Sequence, residues 1–156
     1  MLVYGHRSFA LEPRRFLSTL HTRLERTSGE PPHDELVALL VDAGEAESAV
    51  ADATMPGIDA EAAELSGWRE IAGAIAAANA ASWYGDTASV APALHRARSA
   101  AEAVLLQPMP DVVRARAAEG FACYSVYPEQ YMAAAEQMVA AFRVQAVFCL
   151  GLRSIG

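Results

Sequence analysis

The hydrophobic pattern of this chain changes its period at Pro108-Met109-Pro110. Before that point, apolar residues recur every three or four positions, which is the spacing of an amphipathic helix. After it, the run 112–117 alternates between apolar and polar residues, as a half-buried strand does. Because helices rarely continue through a proline pair of this kind, the sequence predicts a helical segment over 1–107 and the start of an α/β unit over 111–156.

The helical segment is divided by turn-forming residues. Phe16, Leu17, Leu20 and Leu24 give the first helix its apolar stripe, and Glu12-Pro13 suits its start. Breaks at 28–32, 55–57 and 84–86 then predict helices that begin near 33, 60 and 91. A short helix over 45–53 either stands alone or continues the one before it through Gly44. Alanine is about a fifth of the chain, and the small residues over 74–78 indicate close helix packing or self-association.

Two charged stretches fall on these helices. The first helix carries Arg14, Arg15, Arg23 and Arg26, and the second region carries Asp34, Glu35, Asp42, Glu45, Glu47 and Asp52. Each set could contact ligands, the arginines an anion and the carboxylates a metal. Because the charges alternate with apolar residues, we expect both sets to be solvated helix faces.

The last third of the chain predicts a β-hairpin followed by a β-α-β unit. The strands are 112–117, 121–127 and Val144–Leu150, the last of the type buried on both faces of a parallel sheet. The helix between them starts at Pro128-Glu129, and its expected core face is Tyr131, Ala135, Met138, Val139 and Phe142. The fold class is therefore α/β: an Ala-rich helical segment, then a hairpin and a right-handed β-α-β unit of an incomplete, parallel or mixed sheet. The expected core includes Trp68, Ile71, Phe121, Val126, Met138, Phe142, Val147 and Phe148.

Composition excludes several kinds of chemistry. All 12 basic residues are Arg, so the chain has neither a Schiff-base lysine nor a P-loop lysine. A net charge of −7 and a pI near 5.0 argue against nucleic-acid binding. No secretory signal is visible and the apolar stretch 72–81 is too short to span a bilayer, so we expect a cytoplasmic protein without membrane contact.

No metal site and no cofactor are expected either. Cys123 and Cys149 lie in apolar runs, where they suit buried free thiols. The four histidines form no ligand pair at helical spacing. No serine lies in a nucleophile-elbow pattern, which disfavours a self-contained hydrolase.

The last six residues are the candidate binding site. Gly151, Leu152, Arg153, Ser154, Ile155 and Gly156 follow the predicted buried strand directly. Loops at the carboxyl ends of parallel strands are where α/β sheets bind ligands. Glycines let backbone amides approach a phosphate, and Arg153 and Ser154 add donors. The alternatives are an ordinary strand-to-helix turn and pairing of Arg153 with a carboxylate.

The run Val147 to Gly156 resembles the strand and pyrophosphate-binding loop of phosphoribosyltransferase-like proteins. The preceding residues 119–131 are similar to the segment before that loop in bacterial members of uncertain role, so the resemblance covers about 112–156. It implies a loop whose amides bind the pyrophosphate of phosphoribosyl pyrophosphate, a phosphorylated ribose ligand. Transferase activity would be expected only in a complete protein.

The second motif of that family, an acidic pair followed by a Thr/Gly-rich loop, has no counterpart in this sequence. We therefore expect an amino-terminal part of a longer protein, or a chain whose sheet is completed by a partner or by another copy. The acceptor substrate does not follow from the motif. The alternative function is a non-catalytic helical interaction or oligomerisation module.

Overall fold

The structure, a computed structural model, describes residues 8–27, 31–56, 62–118, 127 and 129–142. In chain order its elements are strand β1 (Ser8–Leu11), helices α1 (Pro13–Arg26), α2 (His33–Thr54), α3 (Ser66–Trp83) and α4 (Thr87–Leu105), strand β2 (Val113–Arg116) and helix α5 (Glu129–Phe142). A single 3₁₀ turn, Ala63–Leu65, leads into α3. The helical first segment is thus confirmed from Pro13 onwards.

Helices α1 to α4 share one apolar core, and the predicted stripes supply it. Leu17, Leu20 and Leu24 are buried on α1, and Trp68 and Ile71 are buried on α3 as predicted. Phe16 stacks on Trp68 with ring centroids 6.4 Å apart. The small side chains predicted to allow close packing do so inside the chain, because Ala74 and Ala78 of α3 are buried with Ala93, Ala97 and Ala101 of α4.

The turn between α3 and α4 explains why these two helices pack side by side. Gly85 has φ +72°, a left-handed conformation that side chains with a Cβ disfavour. The Gly85 amide donates to Ser82 O at 3.1 Å, and the Asp86 amide donates to Ala81 O at 2.8 Å. This pair of bonds is the Schellman motif, which ends α3 at the position predicted from Tyr84-Gly85-Asp86 and lets α4 begin at once.

Two helix boundaries differ from the sequence prediction. Helix α2 runs through Gly44 without a break, so the continuous alternative is confirmed. Helix α4 begins at Thr87 rather than near 91, and Pro92 lies inside it. A proline is tolerated most easily in the first turn of a helix, because it lacks an amide hydrogen. In the structure only the bond to Ala88 O, in the second turn, is forgone.

The strand predicted over 112–117 is confirmed as β2, but its described partner is β1. The two are antiparallel, with Ser8 opposite Arg116 and Leu11 opposite Val113. Residues 8–11 fall within the predicted helical segment 1–107, and that part of the prediction is wrong because their backbone pairs with β2. The predicted strands 121–127 and Val144–Leu150 lie outside the described residues, apart from Tyr127, so the parallel sheet stays a prediction.

Helix α5 is confirmed as a helix, but its predicted burial is wrong. Met138 is 51% exposed and Phe142 is 76% exposed, and Tyr131 and Val139 are exposed as well. Periodicity predicts which side chains share a face, and it does not supply the surface against which that face packs. Instead Glu129, the first residue of α5, is the buried one.

Candidate functional site

The six residues 151–156 that the sequence marks as a binding loop lie outside the described residues. The pyrophosphate site therefore stays a prediction. Within the described ranges, polar side chains come together at several places, among them the junction of α2, α3 and α5, the face shared by α1 and α4, and a cavity beneath β1.

The junction joins a histidine, a serine and a glutamate from three helices. Nδ1 of His33 lies 3.1 Å from Ser82 Oγ, and Nε2 of His33 lies 2.8 Å from Glu129 Oε1. The side chain of His33 is 31% exposed, whereas that of Glu129 is 8% exposed. We call these three residues the junction triad.

Helix ends place each member of the junction triad. His33 is the first residue of α2, directly after Pro31-Pro32, which cannot be helical interior. Ser82 lies in the last turn of α3, and the Schellman motif at Gly85 fixes that end. Glu129 is the first residue of α5, and the positive end of the helix dipole stabilises a carboxylate at that position. The ends of three helices therefore meet at the His33 imidazole.

The carboxylate determines which tautomer of His33 is present. An ionised carboxylate only accepts hydrogen bonds, so the hydrogen between Glu129 and His33 is on Nε2. In the neutral ring, Nδ1 is then a lone-pair acceptor, and the Ser82 hydroxyl donates to it. The arrangement is a donor chain from serine to imidazole, with the imidazole oriented by a carboxylate.

Two exposed aromatic side chains border the junction. The Trp83 ring lies against His33, with centroids 5.7 Å apart and planes tilted by 43°. Tyr84 donates to Glu136 of α5, and this hydrogen bond raises the pKa of Tyr84 above its ordinary value. Trp83 and Tyr84 are each about half exposed to solvent. The junction thus has an apolar rim that solutes can reach.

The face shared by α1 and α4 carries a network of exposed charges. His21 Nε2 lies 2.8 Å from Glu102 Oε1, and Arg98 Nε lies 3.7 Å from the same oxygen. The hydrogen bond from His21 holds the pKa of Glu102 below its usual value. The positive and negative side chains on this surface pair with one another, so their arrangement is explained without a ligand.

The cavity beneath β1 has a volume of about 260 Å³ and is lined by apolar residues of β1 and α1 with a few charges. Arg23 pairs with Asp42 there, and Glu45 Oε1 accepts a hydrogen bond from the Ala118 amide at 2.6 Å. Burial raises the pKa of Glu45, partly opposed by that amide. Asp42 and Glu45 thus bind α1 and the end of β2, so this part of the acidic stretch is not the fully solvated face that the sequence predicts.

Some arginines of α1 bind other elements of the fold, and others lie on the exposed side of the helix. Arg14 donates to Leu105 O at 2.6 Å and to Gln107 O at 3.2 Å, so it caps the carboxyl end of α4. Helix carbonyls at that end lack partners of their own, and a guanidinium supplies donors in the right geometry. Arg23 is paired as described, whereas Arg15 lies 4.0 Å from Glu12 on the exposed side.

The described part of the chain contains neither a candidate metal site nor a candidate membrane span. Over 8–27, 31–56, 62–118 and 129–142, no three His, Cys, Asp or Glu side chains are placed to hold a metal ion. None of the helices in those ranges is long and apolar enough to cross a membrane.

Sequence reasoning missed the junction triad entirely. His33 and Glu129 are separated by 96 residues and His33 and Ser82 by 49, so no spacing rule connects them. The one local signal was a histidine at a predicted helix start after two prolines. Comparison of this chain with protein-family models, with curated proteins and with solved structures finds no match.

Proposed function

We propose that this chain is part of a phosphoribosyl-pyrophosphate-binding protein, with residues 151–156 as its pyrophosphate loop. The observation that carries the proposal is the run 147–156, an apolar segment leading into Gly-Leu-Arg-Ser-Ile-Gly. Backbone amides released by Gly151 and Gly156 would bind pyrophosphate oxygens, and the permanent charge of Arg153 would add a bidentate donor. The proposal assigns binding, and no transferase step, to residues of this chain.

The position of α5 supports this proposal. Helix α5 ends at Phe142, two residues before the predicted strand Val144–Leu150. In a β-α-β unit, the apolar face of the helix packs on the sheet beside the strands that flank it. Met138, Val139 and Phe142 lie on one side of α5 and have the apolar character of such a face, although they are exposed. An amphipathic helix in that place is what a phosphate-binding α/β unit requires.

Calorimetric titration of the full chain with phosphoribosyl pyrophosphate, and separately with pyrophosphate, tests the proposal. We expect weak binding, since the ribose-gripping motif of the family is absent from the sequence, and a loss of at least about tenfold in affinity with Arg153→Ala. Arg96→Ala is the matched control, because Arg96 is an exposed arginine of α4. If neither ligand binds at about 10 mM, or if both variants behave alike, the phosphate proposal is wrong.

A second candidate function is a helical self-association module. It is favoured by the exposed apolar side chains of α5, since a row of large apolar residues on one surface is typical of a protein-contact site. Sedimentation equilibrium of the chain and of the Met138→Ser/Phe142→Ser variant tests it. We expect a reversible dimer that the double substitution dissociates, and a strict monomer at the highest concentration excludes this candidate.

A further inference from the structure

We propose that Ser82 is an activated nucleophile, with His33 as its general base and Glu129 as the residue that positions the base. The site would carry out acyl transfer from small uncharged esters. It shares no residue with the loop 151–156 and does not depend on phosphate binding.

The contacts follow the order that nucleophilic catalysis by serine requires. A hydroxyl must donate to a free imidazole nitrogen, and the other ring nitrogen must be held by a carboxylate. Ser82 Oγ, the two nitrogens of His33 and Glu129 Oε1 stand in this order at 3.1 Å and 2.8 Å. In the usual serine triad, Nε2 of the histidine faces the serine and Nδ1 faces the carboxylate. Here the two nitrogens have exchanged places, and each still has the hydrogen-bonding role that its position requires.

The Ser82 hydroxyl has a different partner from five hydroxyls in or at the end of α1 and α2. Those of Ser18, Thr19, Thr22, Thr27 and Thr54 each donate to the carbonyl four residues before, which is the usual partner of a hydroxyl in a helix. Ser82 contacts His33 instead. The Ser82 hydroxyl therefore donates to a base and not to a backbone carbonyl.

The reaction balances with these three side chains and water. Ser82 Oγ forms a bond to the ester carbonyl carbon while its proton passes to Nδ1 of His33, and the π electron pair of the carbonyl moves onto its oxygen. The carbon–oxygen bond to the leaving alcohol then breaks, and His33 returns the proton to the departing oxygen. Water repeats the two steps on the acyl-serine and releases the acid. Glu129 accepts the hydrogen bond from Nε2 throughout and stabilises the imidazolium.

The surroundings determine the class of ester. Ser82 lies at the carboxyl end of α3, where the helix dipole is negative, so anionic substrates are disfavoured. The exposed ring of Trp83 lies against His33 and offers an apolar surface to an acyl or aryl group. His33 and Ser82 are both partly exposed, so a small substrate reaches them from solvent. An uncharged aryl ester fits this combination.

A fluorophosphonate probe, which serine attacks with loss of fluoride, tests the proposal on the full chain. Peptide mass spectrometry should locate the adduct on Ser82, and Ser82→Ala should remove it. Ser89→Ala, an exposed serine in the first turn of α4, should leave it unchanged. Hydrolysis of p-nitrophenyl acetate should follow the same pattern.

Two further variants separate catalysis from folding. His33→Ala should slow labelling by about 100-fold, and added imidazole should restore part of the rate. Glu129→Ala should slow it at least tenfold, and added acetate should restore part of that loss; circular dichroism monitors the fold in both variants. If the parent chain does not label at Ser82, or labels as fast without His33, the proposal is wrong.

Discussion

Glu45 connects helix α2 to the residues just after strand β2 through a single hydrogen bond. Its oxygen accepts the Ala118 amide just beyond β2, and burial on α2 raises its pKa. Between the ordinary value of 4.5 and the raised value, the folded state holds more of the proton than the unfolded state does. The free energy of unfolding contributed by Glu45 therefore falls as pH rises through that interval.

Glu45→Gln should reverse this loss. Glutamine keeps a carbonyl oxygen for the Ala118 amide and carries no charge to be desolvated. We expect the variant to gain stability over the parent as pH rises from about 4 to about 7, measured by urea denaturation at each pH. Glu70→Gln, at an exposed site on α3, is the control, and a stability difference independent of pH would contradict the assignment.

At the scale of elements, α3 and α4 are in close contact at Gly67. A Cβ built there would collide with the Val104 side chain, which is buried. Gly73, on the same helix, has open space at the corresponding position. The two glycines therefore separate the effect of close packing from that of helix propensity.

We expect Gly67→Ala to lower the free energy of unfolding by about 1–3 kcal/mol, because a buried β-branched neighbour cannot move aside. Gly73→Ala should raise it by about 0.5–1 kcal/mol, as alanine restricts the unfolded chain. Thermal or urea denaturation measures both, and adding Val104→Ala to Gly67→Ala should recover part of the loss. Equal effects at the two positions would show that the helices are not in contact there.

Elements with a local signal could be predicted from the sequence, and those that depend on distant pairing could not. The stripes of α1 and α3, and the end of α3 at Gly85, follow from residues a few positions apart. Ser8–Leu11 is only four residues long, and its strand character comes from β2, more than a hundred residues later. The junction triad has the same origin, since its members meet only after three helices have packed.

At the scale of the whole molecule, stability is not uniform. Helices α1 to α4 bury leucines and alanines in a common core, whereas α5 exposes its large apolar side chains. Its described contacts with the helical body are polar, from Glu129 to His33 and from Glu136 to Tyr84. Helices held in this way open locally at lower free energy than core helices.

Hydrogen exchange should resolve that difference. We expect amides of α5 to exchange at least about 100-fold faster than those at the centre of α3, since opening α5 exposes little further apolar surface. Glu129→Gln should accelerate exchange in α5 and leave α3 unchanged. Uniform protection across both helices would mean that α5 is part of the core.

The pairing of β1 with β2 also has a consequence for biosynthesis. Ser8 Oγ and Arg114 Nε are bonded across 106 residues, so β1 leaves the ribosome long before its partner is translated. All four helices of the core are made in the interval and can pack as they emerge. The pairing of β1 with β2 therefore follows the packing of α1 to α4, and the nascent chain carries an unpaired but very short strand until Arg116 has left the ribosome.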